Sequence, residues 1–116
     1  MDTEARLRDL YGAFNRRDID AAVAGMTEDV DWPNAWEGGR VRGHAEVRAY
    51  WTRQWASIDP RVEPTGFSER PGGEVAVDVD QLVRDLDGAV VAAGRVTHVY
   101  TLRDGLVARM DIVSVT

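Results

Sequence analysis

The spacing of apolar residues changes once along the chain, near Pro60. Before it, apolar positions recur three and four residues apart. Leu7, Leu10, Tyr11 and Phe14 form one stripe, and Ile19, Ala22, Val23 and Met26 form a second. A third runs through Val47, Tyr50 or Trp51, Gln54 or Trp55, and Ile58. Each stripe lies on one face of an α-helix, so the pattern predicts helices over 3–16, 18–26 and 44–58. Thr3 is expected to cap the first, although Arg6 stands where a capping box would have glutamate. Asp18 is expected to cap the second. Asp59-Pro60 should end the third, because the residue before proline is pushed out of the helical region. Between the second and third helices lie an acidic segment, Thr27 to Asp31, and an aromatic loop with Trp32, Pro33, Asn34 and Trp36. A tiny strand follows, bracketed by Gly38-Gly39 and Gly43.

Beyond Pro60 the period is two. Strands are predicted over 61–70, 74–86, 89–103 and 106–115. The first contains Pro64 and Gly66 and reads as an edge or bulged strand. In the second, Val75, Val77, Val79, Gln81 and Val83 share one face, opposite Ala76, Asp78, Asp80, Leu82 and Arg84. In the third, Gly94, Val96, His98, Tyr100 and Leu102 oppose Arg95, Thr97, Val99 and Thr101. The first of these sets is the more apolar, so it should meet the helices. In the fourth, Leu106, Ala108, Met110, Ile112 and Ser114 oppose Val107, Arg109, Asp111, Val113 and Val115. Asp87-Gly88 and Asp104-Gly105 are hairpin turns. Helices followed by an antiparallel meander make an α+β domain, one unit over 1–116, since 116 residues do not provide for two.

Composition narrows the chemistry. A net charge of −6 with scattered basic residues disfavours nucleic acid as a partner. No apolar run reaches the length of a membrane span, and the start of the chain lacks the apolar stretch of a secretory signal, so a cytoplasmic protein is expected. With no cysteine there is no disulfide and no thiol nucleophile. All 14 basic residues are arginine, so no lysine amine can form a Schiff base. The two histidines, His44 and His98, lie far apart without metal-ligand spacing, and no metal or other cofactor is expected.

His98 is the sharpest candidate for chemistry. Between Val96 and Tyr100 on the presumed inner face, it could act as acid, base or oxyanion donor. The competing reading is a structural histidine satisfied by its neighbours. Tyr100 shares that face, as do Gln81 and Met110 on adjacent strands. Asp31 lies close to Trp32, where nearby indoles would raise its pKa at a pocket mouth; the bland alternative is a solvated acidic loop. Trp51 and Trp55 read as helix packing. Trp32 and Trp36 sit in a loop and suggest an aromatic rim around an apolar ligand. Asn34 could orient a ligand carbonyl, or simply serve the turn after Pro33.

The order of features from Phe14 to Trp55 resembles the nuclear transport factor 2-like superfamily. Within it, the chain is similar to the SnoaL-like group of polyketide cyclases and ketosteroid isomerases. The features are the turn Asn15-Arg16-Arg17-Asp18, the short helix to Met26, the acidic segment, the aromatic loop, the Gly-bracketed strand and the helix with Trp51 and Trp55. The resemblance implies a cystatin-like cone, a curved antiparallel barrel packed around three N-terminal helices and enclosing one apolar pocket. The isomerase machinery is not reproduced. Counting from Asn15-x-x-Asp18, the family's base aspartate falls on Asn34, which cannot abstract a proton, unless a small shift brings in Asp31. Its oxyanion tyrosine falls on Leu10, beside Tyr11, and its oxyanion aspartate falls on His98 if one residue is deleted at Asp104-Gly105. The Asp-Arg-Asp set of limonene epoxide hydrolases is also missing.

Together these readings give a pocket protein for a small, largely apolar, oxygenated metabolite. Its chemistry would be cofactor-free acid/base work such as cyclisation, isomerisation, dehydration or hydrolysis. His98 would be central, Tyr100 and Asp31 would take part, and Tyr11, Trp32, Asn34, Trp36, Trp51, Trp55, Gln81 and Met110 would meet the ligand. The alternatives are a non-catalytic binder of a hydrophobic ligand and a protein-interaction module. The outer sheet face, with Leu82, Val99, Val113 and Val115 among paired charges, suggests a homodimer, as relatives of this fold often form.

Overall fold

The computed structural model describes residues 2–114. Helix α1 spans Thr3–Arg16 and buries Leu7, Leu10, Tyr11 and Ala13. Its cap is Asp2, not Thr3: the Asp2 carboxylate accepts from the Ala5 amide at 2.7 Å. It ends at Arg17, which takes the left-handed conformation (φ 66°) and returns its amide to the Phe14 carbonyl. Asp18 caps α2 (Ile19–Ala24), accepting from the Ala21 amide at 3.1 Å. This helix is shorter than the pattern suggested, because Gly25 closes it and Met26 already belongs to a strand.

That strand, β1 (Met26–Pro33), is the main departure from the expected layout. Its acidic residues resemble a loop because carboxylates are poor strand formers. Here Val30 and Trp32 turn inward and are buried, while Asp29 and Asp31 turn outward and meet arginines. The short β2 (Arg40–Arg42) pairs back on β1, and α3 follows over Gly43–Trp55. The chain leaves α3 earlier than expected and enters β3 (Ile58–Arg70), with Pro60 and Pro64 inside the strand. Both are tolerated because β3 is an edge strand. Strands β4 (Glu74–Asp85), β5 (Val90–Arg103) and β6 (Leu106–Ser114) complete the meander. Val115, placed in the last strand by its pattern, lies outside the described residues.

Among the described residues, six strands form one curved sheet in the order β2-β1-β6-β5-β4-β3. All neighbouring pairs are antiparallel except β1 and β6, which run parallel with an irregular register. Helix α1 packs against β3 and α3 against β1, so the helices cover the inner face. The phase read from β4 holds: Val75, Val77, Val79 and Val83 are buried. On β6 it holds from Met110 onward. Both faces of the β6 pattern are partly apolar, and Val107 is also buried, opposite Leu102, because a bulge across Thr101 and Leu102 shifts the register. On the outer face, Val99 is closed off between Ala76 and Asp111, whereas Val113 remains 48% exposed. Among the described residues no helix is long and apolar enough to cross a membrane.

Candidate functional site

Strand β5 places His98 and Tyr100 two residues apart on the inner face, and α1 lays Tyr11 over both. The Tyr100 hydroxyl donates to the Tyr11 oxygen at 2.7 Å, and the Tyr11 oxygen lies 2.7 Å from His98 Nδ1. The Tyr11 ring stacks on the imidazole and meets Tyr100 edge-on. Proton counting assigns the tautomer. Each hydroxyl has one proton, and Tyr100 gives its own to Tyr11. Were Nδ1–H to donate to Tyr11 as well, the Tyr11 proton would have no acceptor among the described residues, so Tyr11 gives its proton to Nδ1 and the imidazole proton sits on Nε2. The reverse order would leave the proton of the fully buried Tyr100 hydroxyl without an acceptor, an arrangement costing about 1–3 kcal/mol.

Burial pushes the His98 pKa down to about 4, so the ring is neutral at physiological pH. Burial pushes the Tyr11 phenol far up, with the Tyr100 hydroxyl adding to the effect, and pushes Tyr100 up as well. Neither phenol ionises near neutrality. Nε2 has no hydrogen-bond partner among the described residues, and the ring lines a cavity of about 80 Å³. The cavity wall is aromatic and aliphatic: Trp32, Trp51, Phe14, Met110 and Ile112 contribute, with Gln81 and Gln54 as its amides. No formally charged side chain lines it among the described residues. An N–H held in a site of this kind can stabilise negative charge developing on a bound oxygen.

Of the residues singled out in the sequence, His98, Tyr100, Tyr11, Gln81, Met110, Trp32 and Trp51 come together at this cavity. Four do not line it. Trp55 lies behind the wall, stacked on Trp51, with Arg17 over its ring. Trp36 points away and is 39% exposed. Asn34 is buried but serves its own turn, accepting from the Glu37 amide at 2.7 Å and donating to the Glu37 carboxylate. Asp31 belongs to the other side of the sheet. It accepts from Arg40 Nε at 2.5 Å and Arg109 Nη1 at 2.7 Å, with Arg42 at 3.5 Å. The Arg40 hydrogen bond, reinforced by Arg40 and Arg109 charges, holds its carboxyl below the usual range, opposite to the raised pKa expected beside indoles. Alternation explains the misplacement: in a loop Asp31 could turn toward Trp32, but neighbours on a strand point to opposite faces.

Tyr50, Gln54 and Pro60 also border the cavity, although none was a candidate for the site. The available signal is the third helical stripe, which admits Tyr50 as well as Trp51 and Gln54 as well as Trp55. His44 lies elsewhere, its Nε2 3.1 Å from the Met26 carbonyl. No group of three metal-ligating side chains gathers among the described residues.

This architecture is shared with solved structures. TerC, co-crystallised with polyporic acid, is 28% identical with a TM-score of 0.84, over 97% of this chain and 91% of that one. A nuclear transport factor 2-like protein of unknown function from Burkholderia pseudomallei is 26% identical with a TM-score of 0.85, over 99% and 92%. The epoxide hydrolase/cyclase-like enzyme SalBIII, described for pyran ring formation in the polyether salinomycin, shares the fold. It is 21% identical with a TM-score of 0.80, over 98% and 91%. No curated protein sequence matches. The SnoaL-like domain pattern matches residues 7–110, nearly the whole chain, and the protein belongs to that SnoaL-like family.

Proposed function

We propose that the protein binds a compact, uncharged, oxygenated metabolite in the inner cavity and promotes its cyclisation, in which a nucleophilic group of the same molecule adds to its carbonyl carbon and the displaced proton passes to the carbonyl oxygen. His98 supplies the Nε2–H that holds the oxyanion formed on the way. The observation that carries this reading is the Tyr100–Tyr11–His98 chain, which ends in a neutral donor at the wall of an uncharged cavity. A histidine walled only by aliphatic side chains would instead favour passive binding. Tyr11 and Tyr100 act through His98: they fix its tautomer and ring plane. The cavity of about 80 Å³ is small beside the roughly 300–1,000 Å³ of sites for drug-sized ligands, so the ligand is compact or the wall yields to admit it. Co-crystallisation of the similar TerC with polyporic acid supports a small organic ligand.

The test starts with native mass spectrometry against a library of small carbonyl compounds that carry an internal nucleophile, followed by turnover of any binder. His98→Ala should reduce turnover by about two to three orders of magnitude, the range for losing one oxyanion donor, while the fold persists. A ligand that wild type binds but never converts would reduce the protein to a binding module.

We also propose that two copies pair through the outer sheet face around the exposed Val113, where charged and apolar positions alternate.

A further inference from the structure

Gln54, near the C-terminal end of α3, borders the cavity in an incomplete hydrogen-bonding state. Its amide nitrogen reaches the Tyr50 hydroxyl at only 3.4 Å, a long contact. Its carbonyl oxygen is buried without a hydrogen-bond partner among the described residues. A buried acceptor left unmade is costly and rare in a folded protein, and here it occurs on a side chain held by one weak bond beside a cavity. Gln81, the other amide at the wall, differs: its polar atoms are not among those both buried and unpartnered.

We propose that Gln54 is a specificity residue whose carbonyl oxygen accepts a hydrogen bond from a hydroxyl of the ligand, so that the cavity selects hydroxylated over non-hydroxylated compounds. This rests on the reading of the cavity as a small-molecule site. It narrows the ligand class to an uncharged carbonyl compound that also carries a hydroxyl. The carbonyl oxygen takes the His98 Nε2–H and the hydroxyl satisfies Gln54. A site built to pair a ligand hydroxyl discriminates strongly against the analogue lacking it, because the protein's own acceptor is then left buried and unpaired.

The experiment uses phenol and anisole, which share a ring and an oxygen acceptor but differ in the donor. Binding is followed by NMR through the indole N–H resonances of Trp32 and Trp51. Wild type should bind phenol about tenfold more tightly than anisole, the ratio set by one net hydrogen bond. Gln54→Met keeps length and apolar bulk but lacks the amide, and should shrink the ratio below about twofold. Gln54→Glu, which restores an acceptor, should recover the preference for phenol, and thermal melts check that each variant folds. A preference unchanged in Gln54→Met, or one lost instead in Gln81→Met, overturns the role of Gln54 and leaves the cavity reading standing. Equal binding of both probes by wild type does the same. Failure of wild type to bind either probe overturns both readings.

Discussion

The two faces of the sheet treat their polar groups in opposite ways. On the inner face, His98, Tyr11 and Tyr100 are buried and uncharged, and their protons run in a single file toward a cavity. On the outer face, Asp31 and Asp111 share Arg40 and Arg109 in a web of full charges that also joins β1, β2 and β6. The inner set keeps one donor unspent, His98 Nε2–H, while the Asp31 carboxylate takes hydrogen bonds on both oxygens. A group with a free valence facing a cavity is available for chemistry. A carboxylate held by several guanidiniums is committed to structure. The position of Asp31 explains its commitment: β1 and β6 meet in parallel with few regular pairs, and Arg40 spans the seam by also donating to the Met110 carbonyl at 2.6 Å.

The largest effect that separates the faces beyond turnover itself should be pH dependence at His98. In the unfolded chain a histidine takes its proton near pH 6.5, whereas the buried ring resists until about pH 4. Between those values the unfolded state binds more protons, so stability falls as pH drops from 6.5 to 4 and is fully present above 6.5. At 1.36 kcal/mol per pH unit the loss amounts to about 3 kcal/mol. Denaturant titrations across this window should show the slope in wild type and its absence in His98→Gln. The same slope in both proteins would assign it to carboxylates and remove the contrast between the faces. Turnover should likewise show no inflection near pH 6.5.

The outer web should respond more weakly and in stability alone. Asp31→Asn leaves Arg40 and Arg109 to Asp111 and solvent, and should cost about 1–2 kcal/mol, well below the loss for a fully buried pair because the arginines stay partly exposed. The loss should shrink in high salt. Turnover per folded molecule should not change. A drop of tenfold or more would return Asp31 to the site and undo the division between the faces.

The same contrast separates what the residue pattern encodes locally from what only tertiary packing decides. The switch at Pro60, the β4 phase and the inward side of His98 were legible because burial on one face writes a period of two or 3.6 into the sequence. β1 was not legible, since its outward positions are acidic and only arginines distant in sequence, Arg40 and Arg109, make that acceptable. The same nonlocality hid the place of Asp31. Tyr11 was legible as a helix-stripe residue, but its proximity to His98 depends on how α1 crosses the inner face of the sheet. Gln54 and Trp55 both fit the α3 stripe, and the handedness that sends Gln54 to the cavity and Trp55 behind Trp51 is a matter of packing, not periodicity.

The smallest effect on the fold, and the one that defines what the outer face is for, concerns self-association. That face bears its charges in opposed pairs, such as Arg95 with Asp80 at 3.0 Å, and such exposed pairs contribute little to the monomer. Its apolar residues are not equivalent. Val99 is only 5% exposed and has little surface to offer, so the contact should centre on Val113. Val113→Asp should therefore change monomer stability by no more than about 0.5 kcal/mol, as is usual for an exposed position. In a dimer it would place a new carboxylate near its symmetry mate, since a two-fold contact presents the same patch on both sides. Sedimentation at micromolar concentration should find wild type at twice the 12.9 kDa chain mass and Val113→Asp at the chain mass. Wild type at the chain mass would make the outer face a solvated charge lattice. A dimer surviving Val113→Asp would place the contact elsewhere. With dimerisation confirmed at Val113, the two faces would differ in function as well as in charge, one serving a ligand and the other a second copy of the chain.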